Sequence, residues 1–172
     1  MSNDLKAKKL DGDLSMKLIH VISGDLWAGA EVQVFQTLSA VKKNIDLTCL
    51  VFNEGVLLEK LVKEDIKTIL LDENKNSSFK LIKLLQEILF NFKPDIIHVH
   101  AVKEHYIAKL SCLFFNKKIS VFRTVHGARN VPPGLPLIKF FRSKFVVGLD
   151  NFLIRRCTDV VIAVSKDLKK EF

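Results

Sequence analysis

Six short apolar runs, each closed by a turn and separated by segments of helical period, constrain this chain more than any other feature. Lys17-Leu-Ile-His-Val-Ile22 is short, mostly apolar and β-branched, and stops at Ser23-Gly24-Asp25, which predicts a buried strand running into a turn. The same pattern predicts strands over 46–52, 66–71, 95–100, 119–125 and 159–164. Between them, Val34, Leu38 and Val41 recur at helical spacing within 30–43, and residues 56–64 read as a short amphipathic helix. Leu81, Leu84, Leu85, Ile88 and Leu89 share one face of a helix opened by Ser77 and stopped by Pro94. Further helices are expected over 106–115 and from Lys166 onward. Near-continuous apolar strands alternating with helices demand a parallel sheet covered on both faces. Right-handed crossovers then give an α/β, doubly wound sheet, most simply in the order 3-2-1-4-5-6.

With 48% hydrophobic residues in 172, the chain suits one domain with a real core and is too apolar for disorder. No apolar run approaches the roughly 18 residues that a membrane helix needs. Residues 1–15 are polar and lysine-rich, so they are expected to be a disordered extension rather than a signal peptide, leaving 16–172 as the domain. Cys49, Cys112 and Cys157 are odd in number, far apart and set among apolar residues. They read as buried thiols in a reducing cytosol rather than as a disulfide frame or a metal pair. The net charge of +8 is uneven: residues 1–101 carry 13 Lys/Arg against 14 Asp/Glu, and residues 102–172 carry 14 against 5. Such asymmetry suits an anionic partner or an ordinary basic surface.

In doubly wound sheets ligands bind beyond the carboxyl ends of the strands, near the switch in strand order. The loops to inspect are therefore 23–31, 98–105, 124–134 and 165 onward. The first reads Gly24-Asp-Leu-Trp-Ala-Gly29-Ala-Glu31. Its small residues let backbone approach a ligand, and the following helix N-terminus offers free N–H groups to a phosphate; a tight turn with no ligand is the plain alternative. Ala30-Glu31 stands where a phosphate loop needs lysine and a hydroxyl, and GxGxxG is missing, which weakens a dinucleotide reading. His98 and His100 are two apart on a strand and share one face, as a hydrogen-bonding pair in preference to the start of a metal site. His126, before Gly127, ends the fifth strand as either a titratable cleft donor or a structural histidine. Trp27 reads as a loop anchor or lid.

Residues 134–157 carry two apolar stripes. Ile138, Phe141, Phe145, Leu149 and Phe152 form one; Phe140, Val147 and Ile154 form another, with Lys139, Arg142, Lys144, Arg155 and Arg156 among them. A helix with two apolar faces needs two things to pack on: this domain's sheet, and a partner or a membrane interface. Gly148 offers a break that would reduce the second stripe to packing. Basic residues interleaved with apolar ones, without an RNA- or DNA-binding motif, argue against nucleic acid.

Leu18-Ile-His-Val-Ile-Ser-Gly24, Trp27-Ala-Gly29-Ala-Glu31, Lys93-Pro-Asp-Ile-Ile-His98-Val-His100, Thr124-Val-His126-Gly127 and Thr158-Asp-Val-Val-Ile-Ala-Val-Ser165-Lys166 occur in this order. Together they resemble the N-terminal, acceptor-side half of a retaining glycosyltransferase of the GT-B fold, in the broad family-4 group. That resemblance implies a Rossmann-like domain over 16–172 that moves a sugar from a nucleotide-diphosphate donor to a saccharide or lipid-linked acceptor. It implies His126 as the catalytic residue beside the donor sugar, and Ala28, Gly29, Glu31, His100, Arg129 and Ser165 as substrate-binding residues. No metal or other cofactor is expected. The family's C-terminal donor domain, with its Arg/Lys pair and Glu-x7-Glu motif, is expected to be absent, so the chain is not expected to turn over alone. A cytoplasmic location, peripheral at an anionic membrane, would suit a lipid-linked acceptor. The other reading is a non-catalytic module docking on a partner through Phe140, Val147 and Ile154, or on an anionic membrane.

Overall fold

The computed structural model describes residues 16–113, 115, 118–127 and 136–170. Its strands are β1 (Lys17–Ile22), β2 (Asp46–Val51), β3 (Thr68–Leu70), β4 (Ile96–Val99), β5 (Ser120–Val125) and β6 (Val160–Ala163). Its helices are α1 (Gly29–Val41), α2 (Val56–Lys63), α3 (Ser78–Phe92), α4 (Val102–Cys112), α5 (Leu137–Cys157) and α6 (Lys166–Lys169). The strands form one sheet in the order β3-β2-β1-β4-β5-β6, every pair parallel, as the pattern of apolar runs requires. Residues 1–15, with the extension expected there, lie outside the described residues.

Strand alternation divides the core into two. Ile19, Val21, Leu50, Phe52, Ile97, Val99 and Val121 point to one face and pack with Leu81, Leu85 and Leu89 of α3 and with Ile107 and Ala108 of α4. Ile22, Leu47, Cys49 and Val51 point to the other and pack with Val34 and Leu38 of α1 and Leu57 and Leu61 of α2. The α1/α2 layer thus covers β1 to β3. On the same face, farther along, β6 leaves Val160 and Ile162 part-exposed.

Local chemistry sets the element ends. Ser77 accepts a hydrogen bond from the Lys80 N–H and opens α3; Lys93 closes it in the left-handed region, and Pro94 cannot continue it. Asp95, just before β4, accepts from the backbone N–H of Lys17 at 2.9 Å. Asp159, just before β6, accepts from that of Val121 at 2.8 Å. Each carboxylate ties the start of one strand to its neighbour.

Three expectations need correction. α4 begins at Val102, not at 106, because Glu104 and His105 are polar yet buried. α5 runs unbroken through Gly148. Of the stripe expected to dock on a partner, Ile154 is buried, together with Leu153 and Asp150, and Val147 is half-buried; the side chain of Phe140 lies outside what the structure describes. The stripe of Ile138, Phe145 and Phe152 faces out, with Ile138 84% and Phe145 71% exposed.

Gly24 has φ +77°, and a Cβ there would stand 2.5 Å from Val51 Cγ1. Gly29 has an ordinary φ, and its Cβ would meet open space. Gly24→Ala is therefore expected to lose about 2 kcal/mol or more in urea unfolding, while Gly29→Ala stays within about 0.5 kcal/mol of the parent. Equal midpoints for the two variants would contradict this assignment.

Candidate functional site

At the switch between β1 and β4 the chain leaves the two strands in opposite directions, α1 to one face and α4 to the other. Register pairs His20 of β1 with His98 of β4, and alternation puts both, with His100, on the α1 side of the sheet. The three rings lie 4.5–4.7 Å apart between centroids, and His126, beyond the tip of β5, stacks on His100 at 5.1 Å. His20 Nε2 meets His100 Nε2 at 2.5 Å, and His100 Nδ1 meets His126 Nε2 at 2.8 Å. His98 Nε2 bonds instead to Thr124 Oγ1 at 2.7 Å.

The row is kept neutral. Burial first, then the neighbouring histidines, hold His20 and His100 well below the ordinary imidazole value. Burial brings His98 down to about 4. His126 is lowered by burial and by Arg123, while Glu31 works against that lowering. His105, on α4, falls to about 4 for want of solvent. Beneath them, on the other face, Arg123 and Asp150 form a buried pair at 3.5 Å. Glu104, also buried, is raised above the usual carboxylate range.

Three histidines, His20, His98 and His100, each bring one nitrogen within 4.8 Å of the others and are, among the described residues, the group that could hold a metal ion. A bound ion needs three in-plane lone pairs converging at about 2.0–2.1 Å. His20 Nε2 and His100 Nε2 face each other at 2.5 Å, so their lone pairs meet one another instead of converging on a third point. A contact of 2.5 Å between two ring nitrogens also calls for a proton between them. The geometry is that of a hydrogen-bonded stack.

The residues named from sequence fall around this row. Ala28 is the N-cap of α1, and the buried carboxylate of Glu31 accepts from its N–H at 3.2 Å, so Glu31 partly satisfies its own helix terminus. Gly29 is exposed, and the fold makes no demand for glycine there. His100 and His126 are in direct contact. Ser165, past the tip of β6, uses its hydroxyl to accept from the Leu168 N–H at 3.2 Å and cap α6. Arg129 lies outside the described residues. Trp27 sits edge-on to Phe35, with Lys60 over its ring, and anchors the first loop to α1 and α2.

Sequence reasoning missed His20. The available signal was a histidine inside an otherwise apolar buried strand, placed by the strand order beside His98. A hollow between α3 and α4, lined by Gln86, Phe90, Ser111 and Phe115, lies near the C-terminal ends of those helices, at the opposite end of the sheet from the strand tips. All three cysteines are unpaired, and only Cys49 is fully buried.

Residues 27–172 match the family model for Glycosyltransferase Family 4. The chain belongs to that family. Among solved structures it is similar to HepE of Anabaena, crystallised with UDP-glucose, at 16% identity and a TM-score of 0.67, covering 90% of this chain and 39% of that one. It is similar to the lipopolysaccharide outer core galactosyltransferase WaaB at 18% identity and a TM-score of 0.61, covering 91% and 41%. It is also similar to a UDP-GlcNAc 2-epimerase from Neisseria meningitidis at 19% identity and a TM-score of 0.54, covering 89% and 47%. No curated protein sequence gives a significant match. The chain thus spans about two fifths of the length of these transferases, and its sheet is the Rossmann-like, N-terminal half of a GT-B fold. The likeness in shape reaches transferases and an epimerase alike; the family match is what selects the transferases.

All five histidines have folded-state values below the unfolded one of about 6.5. The folded state then binds fewer protons, so this stability is complete above pH 6.5 and is lost as pH falls toward 4. Each fully buried histidine adds a slope of at most about 1.4 kcal/mol per pH unit, part-exposed His126 adds less, and the raised Glu104 opposes them. Urea unfolding is expected to show stability falling between pH 7 and 5 more steeply than one proton allows; a flat profile would contradict a neutral row.

Proposed function

We propose that residues 16–172 are the acceptor-side half of a retaining glycosyltransferase, which moves a sugar from a nucleotide-diphosphate donor to the hydroxyl of a saccharide or lipid-linked acceptor. What carries this reading is family membership over 27–172 together with the meeting of His100 and His126 at the carboxyl ends of the strands. UDP-glucose in the HepE structure supports a nucleotide sugar as the donor class. His126, with Nδ1 left over from its bond to His100, would stand beside the donor sugar. Ala28 and Gly29 would bring backbone against the substrate, and Glu31, His100, Arg129 and Ser165 would line the cleft.

No metal or cofactor is assigned to this reaction. Holding acceptor and donor in line, and placing neutral donors and the two helix N-termini of α1 and α4 near the developing diphosphate charge, would supply the rate. The donor-binding half would come from outside residues 1–172. Nucleotide release from UDP- and GDP-sugars with lipid-linked saccharide acceptors is expected to be absent for this chain alone. It should appear when a donor domain is joined in cis, and fall by at least about a hundredfold in that pair on His126→Ala. Repeated turnover by the chain alone, or full activity of the variant, would overturn the reading.

The exposed stripe of α5 suits an anionic membrane, as part of a peripheral cytoplasmic enzyme with a lipid-linked acceptor. At about 100° per residue, Leu137, Ile138, Phe145 and Phe152 fall on one side, flanked by Arg142, Arg155 and Arg156, while Asp150, the one acid of the helix, is buried. Among the described residues no helix is long and apolar enough to cross a membrane. Cosedimentation with vesicles containing acidic lipid is expected to fall with salt and with Phe145→Ser; equal binding to neutral vesicles would remove the charge argument.

A further inference from the structure

We infer that His20 and His100 are positioning residues that fix the tautomer of His126, so that His126 presents its Nδ1–H toward the cleft. This rests on the reading of that cleft as the sugar-transfer site.

Protons can be counted along the chain His20–His100–His126. Three neutral imidazoles carry three ring protons. One must lie between His20 Nε2 and His100 Nε2, and one between His100 Nδ1 and His126 Nε2, because two bare lone pairs would repel at 2.8 Å, a normal hydrogen-bond length, and all the more at the closer 2.5 Å of the first contact. The third sits at one end of the chain, on His20 Nδ1 or on His126 Nδ1. His20 is 1% exposed, and its Nδ1 has no partner among the described residues. A buried N–H without an acceptor is rarer in folded proteins than a buried acceptor left short of a donor. The third proton therefore belongs at the cleft end. His20 then donates from Nε2, His100 accepts there and donates from Nδ1, and His126 accepts at Nε2 and keeps Nδ1–H.

The consequence reaches the substrate. An Nδ1–H can only donate, so it favours a hydroxyl, ring or phosphate oxygen at that position and leaves a bare donor group unmatched. The direction is set from the floor of the sheet, about two residues deep, by a histidine that never touches the ligand. His98 takes no part, since its Nε2 is committed to Thr124.

Long-range proton–nitrogen correlation spectra of the uniformly 15N-labelled chain at pH 8 read each ring directly, without substrate. Expected are His126 and His100 protonated at Nδ1, and His20 protonated at Nε2. His20→Phe removes the first donor and is expected to turn His126 into a mixture of tautomers, while His20→Gln, whose amide can still donate, restores the Nδ1–H form. A purely structural role for His20 would leave the His126 tautomer unmoved in both variants. His126 protonated at Nε2 in the parent overturns the inference, and that measurement stands even where the Phe variant fails to fold. Equimolar zinc that shifts His20, His98 and His100 together and raises Tm also overturns it, in favour of a metal site. If the tautomers are as expected but the chain joined to a donor domain shows no transfer, the functional reading fails and the hydrogen-bonded chain remains.

Discussion

Two adjacent parallel strands that send their chains to opposite faces cannot share a covering helix at their tips. That constraint, at β1 and β4, shapes everything of interest in this molecule. It leaves a gap over the carboxyl ends of the strands, bounded by the N-termini of α1 and α4. It also brings His20 beside His98 through simple register, with His100 one alternation farther along. The row of imidazoles is therefore not a surface cluster that gathered by chance. It is a polar seam laid along the floor of the gap by the same parity that separates the two halves of the core.

Such a seam is costly for stability. Apolar residues of similar volume would fill that floor without desolvating several rings, and a half-satisfied polar network is worse than an apolar core. The rings lower the cost by staying neutral and by bonding to one another and to Thr124. The Arg123–Asp150 pair and the buried Glu104, its carboxyl raised above the usual range by lack of solvent, lie on the other face of the same strands. Buried titratable groups pushed this far from their ordinary values concentrate where chemistry is done. The same contrast appears in the glycines. Gly24 is fixed by its positive φ and by Val51, whereas Gly29 answers to nothing inside the fold.

Much of this was legible in the chain. The bounds of β1 and the strand order follow from apolar runs and handed crossovers, since both express local sterics. His100 and His126 could be placed at the gap for the same reason. His20 could not, because a histidine inside a strand declares itself only when its neighbour across the sheet is known. The start of α4 was read four residues late: Glu104 and His105 look like solvent-facing residues until the Arg123 layer gives them a place to be buried. In α5 two apolar stripes were visible, but which one faced the domain was not. The deciding residue is Asp150, whose partner Arg123 sits on β5, far away in sequence.

A shape shared with both transferases and an epimerase carries no reaction in itself, and on the proposed reading what this half-fold contributes resides in the few groups above the strand tips. An imidazolium there would attract any anion and would change its charge within the physiological range. A neutral ring whose donor direction is set from beneath does neither. On the proposal above, it would discriminate by the position of one oxygen. Burying His20 and His100 to orient His126, as proposed above, is a poor way to stabilise a sheet and a sound way to fix one hydrogen bond above the strand tips.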